Sequence, residues 1–478
     1  MKVLVMGLGL NGGGLEAACY LHRHGAHITV TDLRDEKTLS PSIEKLDARC
    51  AGRPVHYVLG RHETGNFEKA DIVIKNPGVR PDSPYLKAAR RIETDISLFL
   101  NAAPARITAV TGSKGKSFTS SALYHCLEKN RQSGKAFLGG NITVSPLSFL
   151  DGLCPEDDVV LELSSWQLGD LRGRTGDNGN ALLKPKVAVL TSILPDHQDF
   201  YGSMEPYVAD KRVIYEGQSP DDVTVAPCDD EWGKSFLSQS RAAALAMSLL
   251  PPEPGINGGW LENPEGSGFA RLAGKIGDGF FDGGTAQIVP ADPLSKGRHQ
   301  KRNMLCAGLA LLALGLKAQD ILEGLGSFPG IEHRMELFHK AGRIDFYNDS
   351  AATIPEAAAA AVETLGGEKT VLVTGGTDKK LDFSPLAKAA ANAKAVLLLQ
   401  GSGSEKLASM LRQAGTSYLG PFGDIDDAVR AALENAAGGD SVVLSPGCAS
   451  FGMFLNEFDR GRKWKAAVMK LAQADFGY

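Results

Sequence analysis

The chain has 478 residues, 43% of them hydrophobic and 22% charged, with a net charge of −5. That length suits two to four domains, and the mild acidity gives no electrostatic case for nucleic acid or an anionic membrane as a partner. Seven scattered cysteines without a C-x-x-C pair argue against a disulfide framework or a zinc knuckle and fit a reducing cytosol.

Three α/β blocks follow one another. The first opens with Val3-Leu4-Val5-Met6, an apolar run that reads as a buried strand, followed by a glycine turn and a helix over Leu15–His24. Ile28-Thr29-Val30-Thr31 is the next strand, and Asp71-Ile72-Val73-Ile74 runs into the turn Asn76-Pro77-Gly78. Gly7-x-Gly9-x-x-Gly12 after the first strand, with Asp32 on the second, has the form of a dinucleotide-binding fingerprint. Alone it would predict an NAD enzyme. The same geometry suits a uridine diphosphate, which also carries a pyrophosphate and a ribose, and nothing downstream supplies a hydride-transfer site.

The second block carries the strongest signal. Between the strand Ile107–Val110 and a helix from Phe118 to about Asn130 lies Thr111-Gly112-Ser113-Lys114-Gly115-Lys116-Ser117. Successive N–H groups there can cradle phosphate oxygens, with Lys116 on the β/γ-phosphates and Ser117 offering a hydroxyl to Mg²⁺. No guanine-reading pattern follows. Instead Glu162 ends a buried strand, His197 follows the strand Val187–Thr191, and Lys211 sits on a helix over Tyr207–Gln218. Glu162 and His197 are candidate magnesium ligands. A desolvated neutral lysine at 211 could take up CO₂ as a carbamate. The stretch 251–284, rich in Gly and Pro, reads as irregular elaboration. The longest apolar run, Cys306–Leu316, reads as a buried helix.

The third block is expected to open near Ser295-Lys296-Gly297, with strands at Ile344–Tyr347, Val371–Val373, Ala395–Leu399 and Val442–Leu444 between alanine-rich helices. The expected domains are 1–103, 104–296 and 297–478. No apolar run reaches the ~18 residues of a spanning helix, and Met1-Lys2 opens no signal peptide, so a cytoplasmic protein is expected.

Taken together, Thr111–Ser117, Glu162-Leu163-Ser164-Ser165-Trp166-Gln167-Leu168, Asp196-His197-Gln198-Asp199, Lys211, Gly297-Arg298-His299 with Asn303, His333-Arg334, Asn348-Asp349-Ser350 and Leu444–Ser450 resemble, in order, the Mur ligases of peptidoglycan precursor synthesis. The chain is most similar to members that add D-glutamate to UDP-N-acetylmuramoyl-L-alanine. A related ligase using another amino acid, such as L-glutamate, is the alternative.

The resemblance implies a Rossmann-like N-terminal domain, a central P-loop ATPase-like domain and a C-terminal Rossmann-like domain. It implies ATP and two Mg²⁺ ions, with Lys211 carbamylated. Leu10, Asn11, Asp32, Arg34, Asn76, Gly78 and Asn141 would hold the sugar nucleotide. Gly112, Ser113, Lys114, Gly115, Lys116, Ser117 and Phe118 would hold ATP, with Asn303 at adenine, Arg334 near the phosphates and Asp349 at the ribose. Ser117, Glu162, His197 and Lys211 would serve the metal. Thr353, Lys379 and Ser450 would meet the glutamate. A monomer is expected, with a third domain that closes and brings Asn303, Lys379 and Ser450 to the loop. The chain departs from the family's common pattern at Lys114, Phe118, Ala351 and Glu457.

Overall fold

The computed structural model describes residues 1–10, 12–131, 133–142, 144–176, 179–253 and 255–476, with side chains as far as 472. Asn11 lies outside the described residues. The chain forms two compact units, one of residues 1–291 with 298–325 and one of 292–297 with 326–478. Among the described residues the strands form three sheets.

The first sheet is parallel, in the order His56–Leu59, His27–Asp32, Lys2–Met6, Ile72–Lys75, Ile92–Glu93. Four of the five residues in Lys2–Met6 are buried, so the strand is apolar on both faces and shows no alternation. The chain leaves this strand in opposite directions on its two sides. The turn after Met6 and the turn after Lys75 therefore meet at a topological switch point, where such sheets bind ligands.

The second sheet has nine strands. Arg106–Thr111 pairs in parallel with Asp158–Glu162 on one side and Val187–Leu190 on the other. Val110 stands opposite Glu162, and Thr111 opposite Leu190, so the loop after Thr111 emerges between two other strand ends. The stretch 251–284 is not irregular. It supplies Gly258–Leu261, Gly268–Ile276 and the start of Gly279–Val289, which extend the sheet as an antiparallel ribbon. Its glycines serve two ends: Gly277, at φ 57°, turns the hairpin, whereas Gly259 is a packing position, where a Cβ would stand 3.0 Å from Leu305 Cδ1 and 3.1 Å from Leu309 Cδ2.

Those leucines belong to the helix Arg298–Ala313, which buries Met304–Ala313 against this sheet and against the helix Lys116–Asn130. The expected boundary at 297 therefore differs from the observed units. Residues 298–325 complete the core of the first unit, and Asn130 Nδ2 donates to Asp320 O at 3.4 Å.

The second unit has one six-stranded sheet in the order Glu336–Ala341, Ile344–Asn348, Ser441–Leu444, Thr370–Thr374, Ala395–Leu399, Leu419–Phe422. The first pair is antiparallel and the rest are parallel, with an apolar core on each face.

Candidate active site

The loop after Thr111 depends on two glycines. Gly112 has φ 148°, and a Cβ there would fall 2.0 Å from Thr191 Oγ1. Gly115 has φ 88°, and its Cβ would fall 2.3 Å from Asn303 Oδ1. Both positions need positive φ and close approach, which glycine alone supplies without strain. Ser113 is buried and locks the loop: its Oγ accepts from Leu194 N at 2.8 Å and lies 2.8 Å from the Tyr207 hydroxyl. Lys116 opens the helix and bends back, its Nζ donating to Gly112 O at 2.9 Å and Ser113 O at 3.2 Å. Ser117 is half-buried beside it, Lys114 is exposed, and Phe118 turns its ring into the interior.

Lys211 reaches the same carbonyl. Its Nζ donates to Gly112 O at 3.0 Å and lies 4.6 Å from the centre of the Tyr207 ring. Only 1% of Lys211 is exposed. Burial, and then the nearby Lys116 charge, bring its ammonium down to about 7. Glu162 ends its strand 1% exposed. Its Oε1 accepts from Asn141 Nδ2 at 2.9 Å, while Oε2 is buried with no hydrogen-bond partner among the described residues. An orphaned carboxylate oxygen at the strand end beside a glycine loop on which two lysines converge is what a cation and a polyphosphate would satisfy. The donor set therefore fits magnesium with a nucleotide. His197 sits at φ 51° and leads into a one-turn helix, Gln198–Tyr201, its ring 4.9 Å from that of Trp166. Its side chain is exposed.

Asn303, expected to arrive with a third domain, is instead part of the first unit and stands beside Gly115. At the N-terminal switch point Asp32 accepts from Gly9 N at 3.2 Å and Arg34 N at 3.0 Å. Asn76 donates to Gly7 O at 3.2 Å and accepts from Gly78 N at 3.1 Å. The two turns are thus laced together, with Leu10 exposed at their rim.

In the second unit Asp349 is held by Met335 N at 3.1 Å and Ser445 Oγ at 2.6 Å, and burial raises its carboxyl to about 7. Arg334 is exposed between two residues of positive φ, His333 and Met335. Ser450 is buried, Lys379 exposed and Thr353 half-buried, each beyond the end of one of three neighbouring strands of the sheet. Sequence reasoning missed Arg460. It is 1% exposed and donates to Ser350 Oγ at 3.0 Å, Ser350 O at 2.8 Å and Cys448 O at 3.2 Å. It therefore joins the Asn348–Ser350 turn to the Ser445–Ser450 turn. A lone Arg on a charged helix gives no local sign of this. Sequence reasoning also missed a buried ion pair in the first unit, Lys75 with Asp170 at 2.7 Å.

Size does not mark the site. Hollows of about 320 Å³ lie between the helices Pro355–Thr364 and Ser384–Ala390, and beneath the hairpin near Phe281. Their linings are mostly aliphatic and alanine-rich, far poorer in convergent polar groups than the loop after Thr111.

Comparisons with known proteins agree with this geometry. Residues 1–97 match the MurD-like N-terminal domain of Mur ligases, 110–250 the Mur ligase middle domain, and 333–448 the Mur ligase glutamate ligase domain. The chain is 37% identical to the UDP-N-acetylmuramoylalanine–D-glutamate ligase of Treponema pallidum, covering 98% of this chain and 97% of that one. It is 38% identical to the protein of the same name from a Roseiflexus species, covering 98% of each. Among solved structures, the UDP-N-acetylmuramate-alanine ligase MurC of Thermotoga maritima superposes with a TM-score of 0.56 at 21% identity, covering 98% of this chain and 100% of that one. At that identity the likeness speaks to the fold. With three family domains in sequence and relatives matched end to end, this chain belongs to the Mur ligase family.

Proposed function

We propose that this chain joins D-glutamate to the alanyl carboxylate of UDP-N-acetylmuramoyl-L-alanine, consuming ATP, as a step of cytoplasmic peptidoglycan precursor synthesis. The observation that carries the reading is the convergence of two lysines on Gly112 O beside a Glu162 oxygen that has no partner among the described residues, at the neighbouring strand end. The relatives named as D-glutamate ligases support the choice of amino acid.

A carboxylate is a poor electrophile. Transfer of the terminal phosphoryl group of ATP to its oxygen gives an acyl phosphate. Attack by the amine of glutamate then releases phosphate and leaves an amide. Lys116 would neutralise charge on the transferring group, and the N–H groups of Gly112–Ser117 would hold its oxygens. Ser117, Glu162 and His197 would hold divalent metal, with Lys211 joining them as a carbamate. Bound magnesium would polarise the phosphoryl oxygens. Lys211 is suited to CO₂ because a large share of it is the neutral amine near pH 7. His197, on the rim, or a phosphate oxygen would take the amine's proton. The N-terminal turns of Gly7–Gly12 and Asn76–Gly78, with Asp32, Arg34 and Asn141, would anchor the uridine diphosphate. Asp349 and Arg334 would serve ATP, and Thr353, Lys379 and Ser450 the glutamate.

The test is phosphate release from ATP and Mg²⁺ with the sugar nucleotide and each glutamate enantiomer. The proposal expects release that requires both the sugar nucleotide and D-glutamate. Release with L-glutamate alone would move the reading to the related ligase.

A further inference from the structure

Between the Asn76–Gly78 turn and the helix Ser165–Leu171 lies a cavity of about 110 Å³. Pro77, Val79, Trp166 and Phe200 form its apolar walls, and Lys75, Asp170 and Asp210 also line it. Lys75 ends the strand Ile72–Lys75 of the first sheet, whereas Asp170 sits on a helix of the central domain. Their ion pair is 2.7 Å long, with side chains 4% and 12% exposed.

A tie between two elements does not require a buried ion pair. Desolvation cancels much of the attraction, and apolar residues would hold the elements at least as well. The pair also leaves capacity unused. Among the described residues, Lys75 Nζ donates to Asp170 Oδ2 alone, and Asp170 Oδ1 has no partner. The neighbouring Asp210 is engaged, since it accepts from Arg172 at 2.5 Å and Tyr201 at 2.8 Å. With Asp210 engaged, the cavity offers one cationic donor and one anionic acceptor side by side, facing a largely apolar wall in which Trp166 Nε1 is buried with no hydrogen-bond partner among the described residues.

That combination complements a secondary amide ending in a methyl group: a carbonyl for the ammonium, an N–H for the carboxylate and a methyl for the rings. The place of the cavity narrows the choice. One flank is the turn expected to hold pyrophosphate, and the other is Trp166, whose ring lies 4.9 Å from that of His197. A sugar nucleotide running from that turn to the loop after Thr111 would place its middle here. It carries two secondary amides, but only the acetamido group of the sugar ends in a methyl. The alanyl amide continues toward the reacting carboxylate.

We propose that this cavity is the acetamido subsite of the sugar-nucleotide substrate, with Lys75 and Asp170 as its specificity-determining pair; this rests on the function proposed above. The cavity has room for the four heavy atoms of an acetamide, but additional bulk would crowd its walls.

The experiment compares kcat/KM for UDP-N-acetylmuramoyl-L-alanine and its N-deacetylated and N-propionyl analogues. The enzymes are the native chain, the double variant Lys75→Met/Asp170→Leu and the single variant Val79→Phe. The double variant removes both charges together, so neither is left buried alone. The native enzyme should prefer the acetylated substrate over the free amine by about 10- to 100-fold. It should also favour it over the propionyl homologue by several-fold. The double variant should lose most of the first preference at an unchanged KM for ATP. Val79→Phe, which leaves the ion pair intact, should raise KM for the acetylated substrate and little alter that for the amine. Equal native rates on acetylated and free-amine substrates would overturn the proposal, as would a double variant or Val79→Phe enzyme with native selectivity. Native enzyme that consumes no ATP with the acetylated substrate and D-glutamate would instead sink the function on which the subsite rests.

Discussion

The loop after Thr111 and the turns at the strand ends of the second unit are both rich in buried polar groups, yet they are built on opposite principles. Around the loop, groups are left incomplete. A lysine is buried without an acid in hydrogen-bond contact, a carboxylate oxygen has no partner among the described residues, and two glycines hold space that a Cβ would fill. In the second unit the polar groups of the Asn348–Ser350 and Ser445–Ser450 turns are paired. Asp349 accepts two hydrogen bonds, and the Arg460 guanidinium donates to Ser350 and Cys448. Incomplete groups cost stability, and the expected return is chemistry on a ligand that completes them. Satisfied groups fix turns in place. The first region should therefore lose turnover on mutation, and the second should lose order.

The largest effect is expected at Lys116. Replacement by Ala should lower kcat/KM by about 10³-fold or more, because charge on the transferring phosphoryl group is left unneutralised. Steady-state phosphate release measures it. A loss under tenfold would erase the distinction between the regions.

Lys211→Met sharpens the contrast. Turnover should fall by about 100-fold, while removal of a buried amine should raise Tm by a few degrees. A short-chain carboxylate should partly rescue Lys211→Ala. The pH dependence has a definite sign. The folded-state value of about 7 lies well below that of an unfolded lysine, so the unfolded chain binds the extra proton between them. Stability from this group is lowest below pH 7 and recovers as pH rises toward about 10. Activity that needs the neutral amine should fall as pH drops below 7, and calorimetry and rate profiles check the two halves. A Tm unchanged by Lys211→Met would mean the amine costs nothing in the fold.

Arg460→Met should behave in the opposite way. Destabilisation of about 2 kcal/mol is expected, since the carbonyls of Ser350 and Cys448 lose a charged donor. Denaturant melts would show it. A stable but inactive variant would place Arg460 with the first region instead. The smallest effect is expected for Asp349→Asn, at most about tenfold in KM for ATP. Because burial raises Asp349 to about 7, the native difference from the variant should shrink below that pH.

What the sequence made legible follows the range of the interactions involved. The loop Thr111–Ser117 and the fingerprint Gly7–Gly12 are local patterns, and both lie where strand–turn–helix reasoning puts them. The parallel strands of each block were readable because burial on both faces leaves continuous apolar runs. The ribbon Gly258–Val289 was not, because Gly259 is small for the sake of Leu305 and Leu309, residues remote in sequence. The allegiance of Arg298–Ala313 was hidden for the same reason: its apolar face shows that it is buried, but not against which sheet. Lys75 and Asp170 are 95 residues apart, and nothing local announces the pair.

The most direct test of the central claim follows one oxygen atom. UDP-N-acetylmuramoyl-L-alanine labelled with ¹⁸O in its carboxylate is incubated with ATP, Mg²⁺ and D-glutamate, and the released phosphate is weighed by mass spectrometry. An acyl phosphate requires one substrate oxygen to leave with each phosphate, so singly labelled phosphate is the expected product. Unlabelled phosphate formed alongside the amide would contradict the account.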